Sequence, residues 1–321
     1  MWWRPSLSGG SSVEGRAAAR VHFDQRAPAG DSAMKWFQEE LYPGFSQRIA
    51  VTDCLLERQT QFQKIQIFET PVFGKVLALD NAIQITERDN HIYHEMLVHV
   101  PMFAHGDVKD VLIVGGGDGG CLREALKHPV VSVTMVEIDS EVVELSRRFF
   151  PEVSGDAFLD DRADILIDDA YRYLAEEKRR FDLILIDSTD PVGDAARLFT
   201  EEFYQRCFLR LRGSGMIVIQ GGSPPFRTES TEAGARSFMS VFGQLQDYIA
   251  PVPSYPMGMI ALRGASMAGD SLSPCIATIR ARVEKQAITT RYYEPGTHRA
   301  AFELLRGGRA MVTAGQQALS F

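Results

Sequence analysis

The sequence predicts a doubly wound α/β domain, a parallel sheet with helices on both faces, preceded by a small β domain. Three observations predict it. From residue 109 onward apolar runs of strand length alternate with helical patterns; each of those runs ends in glycine or an acidic residue; and the stretch before them, 36–104, reads as short alternating strands closed by one helix. The 321 residues leave room for one large domain and a small one. The expected division is 1–33 as a disordered extension, 34–104 as the β domain with its connecting helix, and 105–321 as the catalytic α/β domain.

Residues 1–33 are rich in Ser, Gly, Ala and Arg and show no apolar periodicity, the composition of a chain that cannot bury a core. They lack the continuous apolar segment of a secretory signal, and Glu14 and Asp24 count against a transit peptide. The ordered pattern begins at Trp36, which makes Met34 a candidate start. Strands follow at Phe45–Val51, Phe62–Phe68 and Gly74–Leu79, the last ending in the turn pair Asp80-Asn81. Ile92, Met96, Val100 and Phe103 then share one helical face over 91–105.

The second part opens with the strand Asp110–Gly115 running into the glycine loop Gly115–Gly120. A helix over 122–127, a strand over 131–138 ending in Glu137 and a helix over 140–149 come next. The strand Ala163–Ile167 stops before Asp168-Asp169 and leads to another helix. The strand 182–186 stops before Asp187, and the helix 201–211 feeds the strand 215–220. No internal repeat is visible.

Composition narrows the function. Hydrophobic residues make up 45% and charged residues 24%, the profile of a chain with a real core. No apolar run approaches the ~18–20 residues of a membrane helix. A net charge of −8 disfavours a nucleic-acid partner. Cys54, Cys121, Cys207 and Cys275 are far apart and form no C-x-x-C pair, so they read as reduced thiols of a cytoplasmic protein rather than a disulfide framework or zinc knuckle.

In doubly wound sheets ligands bind at the carboxyl ends of the strands, and here those ends carry glycines and acids. Gly115-Gly-Gly-Asp-Gly-Gly120 fits a nucleotide loop, but Asp118 would repel a pyrophosphate and attract a cation. Glu137 is placed to accept hydrogen bonds from two ribose hydroxyls, and Asp169 to face a base. Asp187 and Asp190 stand three residues apart, with Pro191 stiffening the loop, and two neighbouring carboxylates call for something cationic between them. A metal and a diamine both fit that demand; no His or Cys lies nearby in sequence to complete a metal site.

These residues resemble a known family, the polyamine aminopropyltransferases, in particular the bacterial spermidine synthases. The similarity spans about residues 36–305. It rests on ordered blocks: Phe62-Gln63, Leu79–Asp89, Tyr93-His94-Glu95-Met96, Gly115–Gly120, Leu122-Arg123-Glu124, Val136–Asp139, Asp187–Gly193, Leu198-Phe199, Pro253–Pro256, and Arg291-Tyr292-Tyr293 with His298 and Ala300–Phe302. The resemblance implies a Rossmann-like catalytic domain after the β domain, a homodimer or homotetramer, and no metal or resident cofactor. Decarboxylated S-adenosylmethionine would be a co-substrate. By the resemblance, Gln63, Glu137 and Asp169, with Ala170 beside it, would hold the adenosine portion. Asp118 would take the donor's ammonium, Asp187 would be the catalytic base, and Asp190 would anchor the diamine. Tyr93, His94 and Tyr255 would line the acceptor channel. The product would be spermidine if putrescine is the acceptor.

Some positions depart from the family pattern. Ala170 and Asp194 replace a usual Gly and Pro, Phe62 a common Tyr, and 221–225 a stretch that often carries a Glu. The rival readings are a methyltransferase using intact S-adenosylmethionine, an oxidoreductase, and a polyamine-binding protein without turnover. The first needs neither Asp118 nor the Asp187/Asp190 pair, Asp118 opposes the second, and an intact Asp187 argues against the third.

Overall fold

The computed structural model of the chain describes residues 35–42, 44–189, 193–224 and 229–304. The expected extension over 1–33 lies outside the described residues, as does Asp190.

The N-terminal part forms two sheets. β1 (Lys35–Tyr42) and β2 (Phe45–Val51) make an antiparallel pair; β3 (Asp53–Gln59), β4 (Lys64–Thr70), β5 (Gly74–Leu79) and β6 (Ala82–Thr86) make a four-stranded meander. β4 begins two residues later than the alternation suggested, which leaves Phe62 and Gln63 in a bend ahead of it. One face of the meander, with Ile65, Ile67 and Leu77, packs on Val142, Leu145, Phe150 and Val153 of the larger domain. The other face, with Phe68, Val76 and Ala78, covers Phe37 and Val51 of the first pair.

α1 (Asn90–His105) is tied down at its start. Asp89 accepts from the Thr86 hydroxyl at 2.6 Å and from the Ser254 amide at 2.8 Å, so the motif around Asp89 joins α1 to the distant Pro253–Pro256 stretch. Farther along α1, buried Glu95 accepts the backbone N–H groups of Arg291, Tyr292 and Tyr293 at 2.7, 2.8 and 2.7 Å. A buried carboxylate needs such partners, and here they clamp the C-terminal segment against the helix.

The large sheet follows the predicted alternation: β7 (Asp110–Gly115), α2 (Gly120–Leu126), β8 (Ser132–Glu137), α3 (Ser140–Phe149), α4 (Pro151–Ser154), β9 (Ala163–Ile167), α5 (Ala170–Glu176), β10 (Phe181–Asp187), α6 (Glu201–Arg210) and β11 (Leu211–Gln220). α7 (Glu229–Phe242), β12 (Gln246–Ala250), β13 (Ile260–Ser266) and α8 (Ile276–Gln286) complete it. The strand order is β12-β13-β11-β10-β7-β8-β9. β7 to β11 are mutually parallel, whereas β13 pairs antiparallel with both β11 and β12. The sheet is therefore mostly parallel rather than wholly so. α1, α2 and α8 bury against one face and α5, α6 and α7 against the other. No helix among the described residues is long and apolar enough to cross a membrane.

The strand order reverses between β7 and β10, because β8 and β9 build outward on one side and β10 returns to the other. That switch point is where a crevice opens above the carboxyl ends of the strands. Gly115 and Asp187 are register partners there.

Candidate active site

The glycine loop can lie over the end of β10 because it lacks side chains. Gly115 has φ +80°, and a Cβ on it would sit 2.2 Å from the Asp187 carbonyl oxygen. Only glycine tolerates both conditions. The Gly116 amide donates to that same carbonyl at 2.9 Å. The loop and the end of β10 are thereby fixed to one another.

Asp187 ends β10. Its Oδ1 accepts a hydrogen bond from the Tyr93 hydroxyl at 2.7 Å, while its buried Oδ2 has no hydrogen-bond partner. Burial pushes the Asp187 carboxyl above the usual carboxylate range, and the charge of Asp118 pushes it further; His94, Cys121 and Tyr93 oppose this. Burial and the Asp187 charge hold the Tyr93 hydroxyl well above its ordinary range, so it stays protonated and donates.

Asp118, in the loop, accepts from the Gly120 amide at 2.6 Å. Burial disfavours its charge, but His94 and the Gly120 amide outweigh burial and hold the carboxyl low. His94 is 2% exposed, with Nε2 3.3 Å from Asp118 Oδ1, outside hydrogen-bond geometry. Burial lowers the His94 pKa and Asp118 raises it, with a net rise.

Two cavities meet at Asp118. The larger, about 830 Å³, is lined by Gln63, Asp118, Glu137, Asp169, Ala170 and Asp187 among others. The smaller, about 70 Å³, is lined by Gln84, Tyr93, Asp118, Gln220, Ser223 and Tyr255 among others. Leu41, Gln84, Asp118, Ser188 and Thr189 belong to both. His94 lies behind Asp118 and lines neither.

At the far end of the large cavity, Glu137 is 7% exposed and accepts from the Gly117 amide at 3.2 Å and the Asp139 amide at 2.9 Å. Burial pushes its pKa up to about 7, and Asp139 adds to the rise against these amide bonds. Gln63 donates to Asp139 Oδ2 at 3.1 Å, which brings the N-terminal sheet to the rim of this cavity. Asp169 caps α5 by accepting from the Tyr171 amide at 2.8 Å, and Arg197 Nη1 lies 3.3 Å from its other oxygen. Ala170 starts α5, buried. Tyr255 donates to the Gln84 carbonyl at 2.6 Å and stands 6.0 Å, centroid to centroid, from Tyr93.

Two neighbours of the cluster escaped the sequence reading. Cys121 is fully buried on α2, and its Sγ, a His94 ring nitrogen and an Asp187 oxygen lie within 4.8 Å of one another. No His or Cys is near Asp187 in sequence, but two are near it in space. The only signal was the position of Cys121 directly after the glycine loop. Arg197, beside Asp169, had none.

A profile of the Spermine/spermidine synthase domain matches residues 90–270, and one of the spermidine synthase tetramerisation domain matches 35–87. The chain belongs to the spermine/spermidine synthase family. The polyamine aminopropyltransferase of Pseudomonas syringae pv. tomato is 43% identical over 272 residues, covering 84% of this chain and 95% of its own. Polyamine aminopropyltransferase 1 of Pseudomonas aeruginosa is 44% identical over 273 residues, with shares of 84% and 95%. A spermidine synthase solved in complex with the transition-state analogue AdoDATO superposes with a TM-score of 0.79 at 36% identity, over 86% of this chain and 94% of that one. The spermidine synthase of Thermotoga maritima gives 0.74 at 35%, over 83% and 90%. As a member of this family the chain is an aminopropyl-transferring enzyme with a Rossmann-like catalytic domain.

Proposed function

We propose that the protein transfers the aminopropyl group of decarboxylated S-adenosylmethionine to a short diamine, putrescine, giving spermidine and methylthioadenosine. The observation that carries this is the half-buried Asp187 carboxylate, one oxygen held by Tyr93 and the other buried without a hydrogen bond, beside a junction of two cavities. The large cavity has the size of a nucleoside pocket; Gln63, Glu137, Asp169 and Ala170 line it and are assigned to the adenosine portion. Tyr93 and Tyr255 line the small one and are assigned to the acceptor, whose short length the narrow space favours. Asp190, outside the described residues, is assigned to the acceptor's far ammonium on the resemblance alone.

The donor's sulfonium makes its attached methylene electrophilic. The acceptor, an ammonium with a pKa near that of Lys at about 10, must first lose a proton. Asp187 Oδ2 takes it as general base. The amine nitrogen then bonds to the methylene, the carbon–sulfur bond breaks, its electron pair goes to sulfur, and a neutral thioether leaves. Asp118, held ionised, takes the donor's ammonium; in intact S-adenosylmethionine a carboxylate stands next to that amine and is repelled. His94 sits behind Asp118 and keeps it charged. No resident cofactor enters the scheme.

The match of 35–87 to a tetramerisation domain supports assembly into a homodimer or homotetramer. Incubating the purified chain with the decarboxylated donor and a panel of amines, with methylthioadenosine and product mass read together, tests the proposal. Putrescine should give the highest kcat/KM. Preference for a triamine would overturn the acceptor assignment, and methyl transfer from the intact donor would overturn the reaction.

A further inference from the structure

We propose that His94, Cys121 and Asp187 form an inhibitory binding site for a thiophilic divalent cation, with zinc as the fitting ion. The three residues come from α1, α2 and the end of β10, and their donor atoms lie within 4.8 Å of one another. Zinc bonds of about 2.0–2.3 Å require the Cys121 and Asp187 side chains to close on the fixed His94 imidazole. Two of these donor atoms have no hydrogen bond: Nε2 of the 2%-exposed His94, which faces Asp118 at 3.3 Å, and the buried Oδ2 of Asp187. Buried polar atoms without partners are uncommon and point to a ligand.

The donor set decides the class of ion. Sulfur, imidazole nitrogen and a single carboxylate oxygen suit zinc and its neighbours, whereas magnesium and calcium demand oxygen shells. Asp118, 3.3 Å from His94 Nε2, adds negative charge beside the site. The groups facing the corner from packed elements are Tyr93 and Glu124, which approach as a neutral hydroxyl and a carboxylate. On binding, the sulfur–zinc bond replaces the Cys121 S–H bond, the ligating ring nitrogen of His94 gives up the proton that Asp118 had favoured, and both protons go to solvent. Asp187 Oδ2 becomes a metal ligand while Tyr93 keeps Oδ1, so no oxygen remains to receive the ammonium proton. Inhibition follows, and an acceptor amine that occupies the same corner opposes it.

This goes beyond the proposed reaction, and its binding arm needs no substrate. Cobalt(II), which takes zinc's place in such ligand sets, is titrated into the purified full-length chain and into Cys121→Val. The wild-type chain should show a near-ultraviolet thiolate-to-cobalt charge-transfer band that the variant lacks. In metal-buffered assays the zinc concentration for half inhibition should rise at least about tenfold in the variant, since even outer-shell partners of a metal are worth 10–100-fold. Comparing the two chains removes any background from exposed Cys54 and Cys275. Cys121→Ser, nearer in size, replaces the valine variant if that one fails to fold by circular dichroism. A charge-transfer band that persists without Cys121, or equal zinc sensitivity of the two chains, overturns the site. A band that appears while the amine panel gives no turnover would leave the site standing and sink the reaction instead.

Discussion

The Tyr93 hydroxyl donates to Asp187 Oδ1 at 2.7 Å, and Oδ2 of the same carboxylate is buried without a partner. One oxygen is oriented by the protein and the other is left to take a proton. Asp187→Asn keeps the shape and removes the basicity. Its kcat should fall by about 10²–10⁴, while calorimetric affinity for methylthioadenosine stays within about twofold. Unchanged turnover would remove Asp187 from the chemistry.

Tyr93→Phe tests the orienting bond separately. The hydrogen bond stabilises the ionised carboxylate, so it works against the burial that raises the Asp187 pKa. Without it that pKa rises further. The base must be ionised to act, so activity is lost as pH falls through its pKa. The acid limb of kcat should therefore move to higher pH in Tyr93→Phe, with kcat at its plateau reduced on the order of tenfold. A limb that stays put would show the bond to be structural only.

Glu137 links pH to stability. Its ordinary pKa of 4.5 is pushed to about 7 in the folded chain. Between those values the folded state holds more proton than the unfolded one, so the group's contribution to stability is full below the lower value and is lost as pH rises through the upper one. Relative to Glu137→Gln, the ligand-free wild-type chain should lose on the order of 2–3 kcal/mol between pH 4.5 and 7.5, read by urea denaturation. Parallel curves for the two chains would refute the shift.

These expectations show how far the sequence was legible. β7, β8, β10 and the second half of β11, residues 215–220, are buried on both faces, so they appear as mainly apolar runs bounded by glycine and acids, and doubly wound topology alone carries their ends to one crevice. That is why Asp118, Glu137 and Asp187 could be named beforehand. β3 could not be seen because most of its residues are exposed and it carries no alternation. β13 looks like any other apolar strand; its reversed direction depends on pairing with both β11 and β12. Cys121 and Arg197 reach the site through the packing of α2 and of the turn 193–199, which no local pattern encodes.

Asp118→Asn should narrow the preference for the decarboxylated donor over intact S-adenosylmethionine. The carboxylate discriminates by repelling a second carboxylate in a site of low dielectric, and its charge is sustained by His94 and the Gly120 amide. Titration with both ligands should show weaker binding of the decarboxylated donor and equal or tighter binding of the intact one. An unchanged ratio of affinities would sink this account of selectivity.

Gly120→Ala probes the contact that keeps His94 behind Asp118. A Cβ at position 120 would fall 2.2 Å from His94 Cε1 and Nδ1, far inside van der Waals contact. The backbone of Gly120 is helical and has no positive φ, so the cost is steric and not conformational. His94 is 2% exposed, and the neighbouring Tyr93 ring meets it edge-on at 5.5 Å. The imidazole therefore has little room to yield, and the variant should lose about 1–3 kcal/mol of stability. If the clash is with the ring itself, adding His94→Ala makes room for the new methyl group. The double variant should then be more stable than the sum of the two single losses predicts, by about 1 kcal/mol or more. Strict additivity in denaturant melts would place the strain elsewhere in the glycine loop.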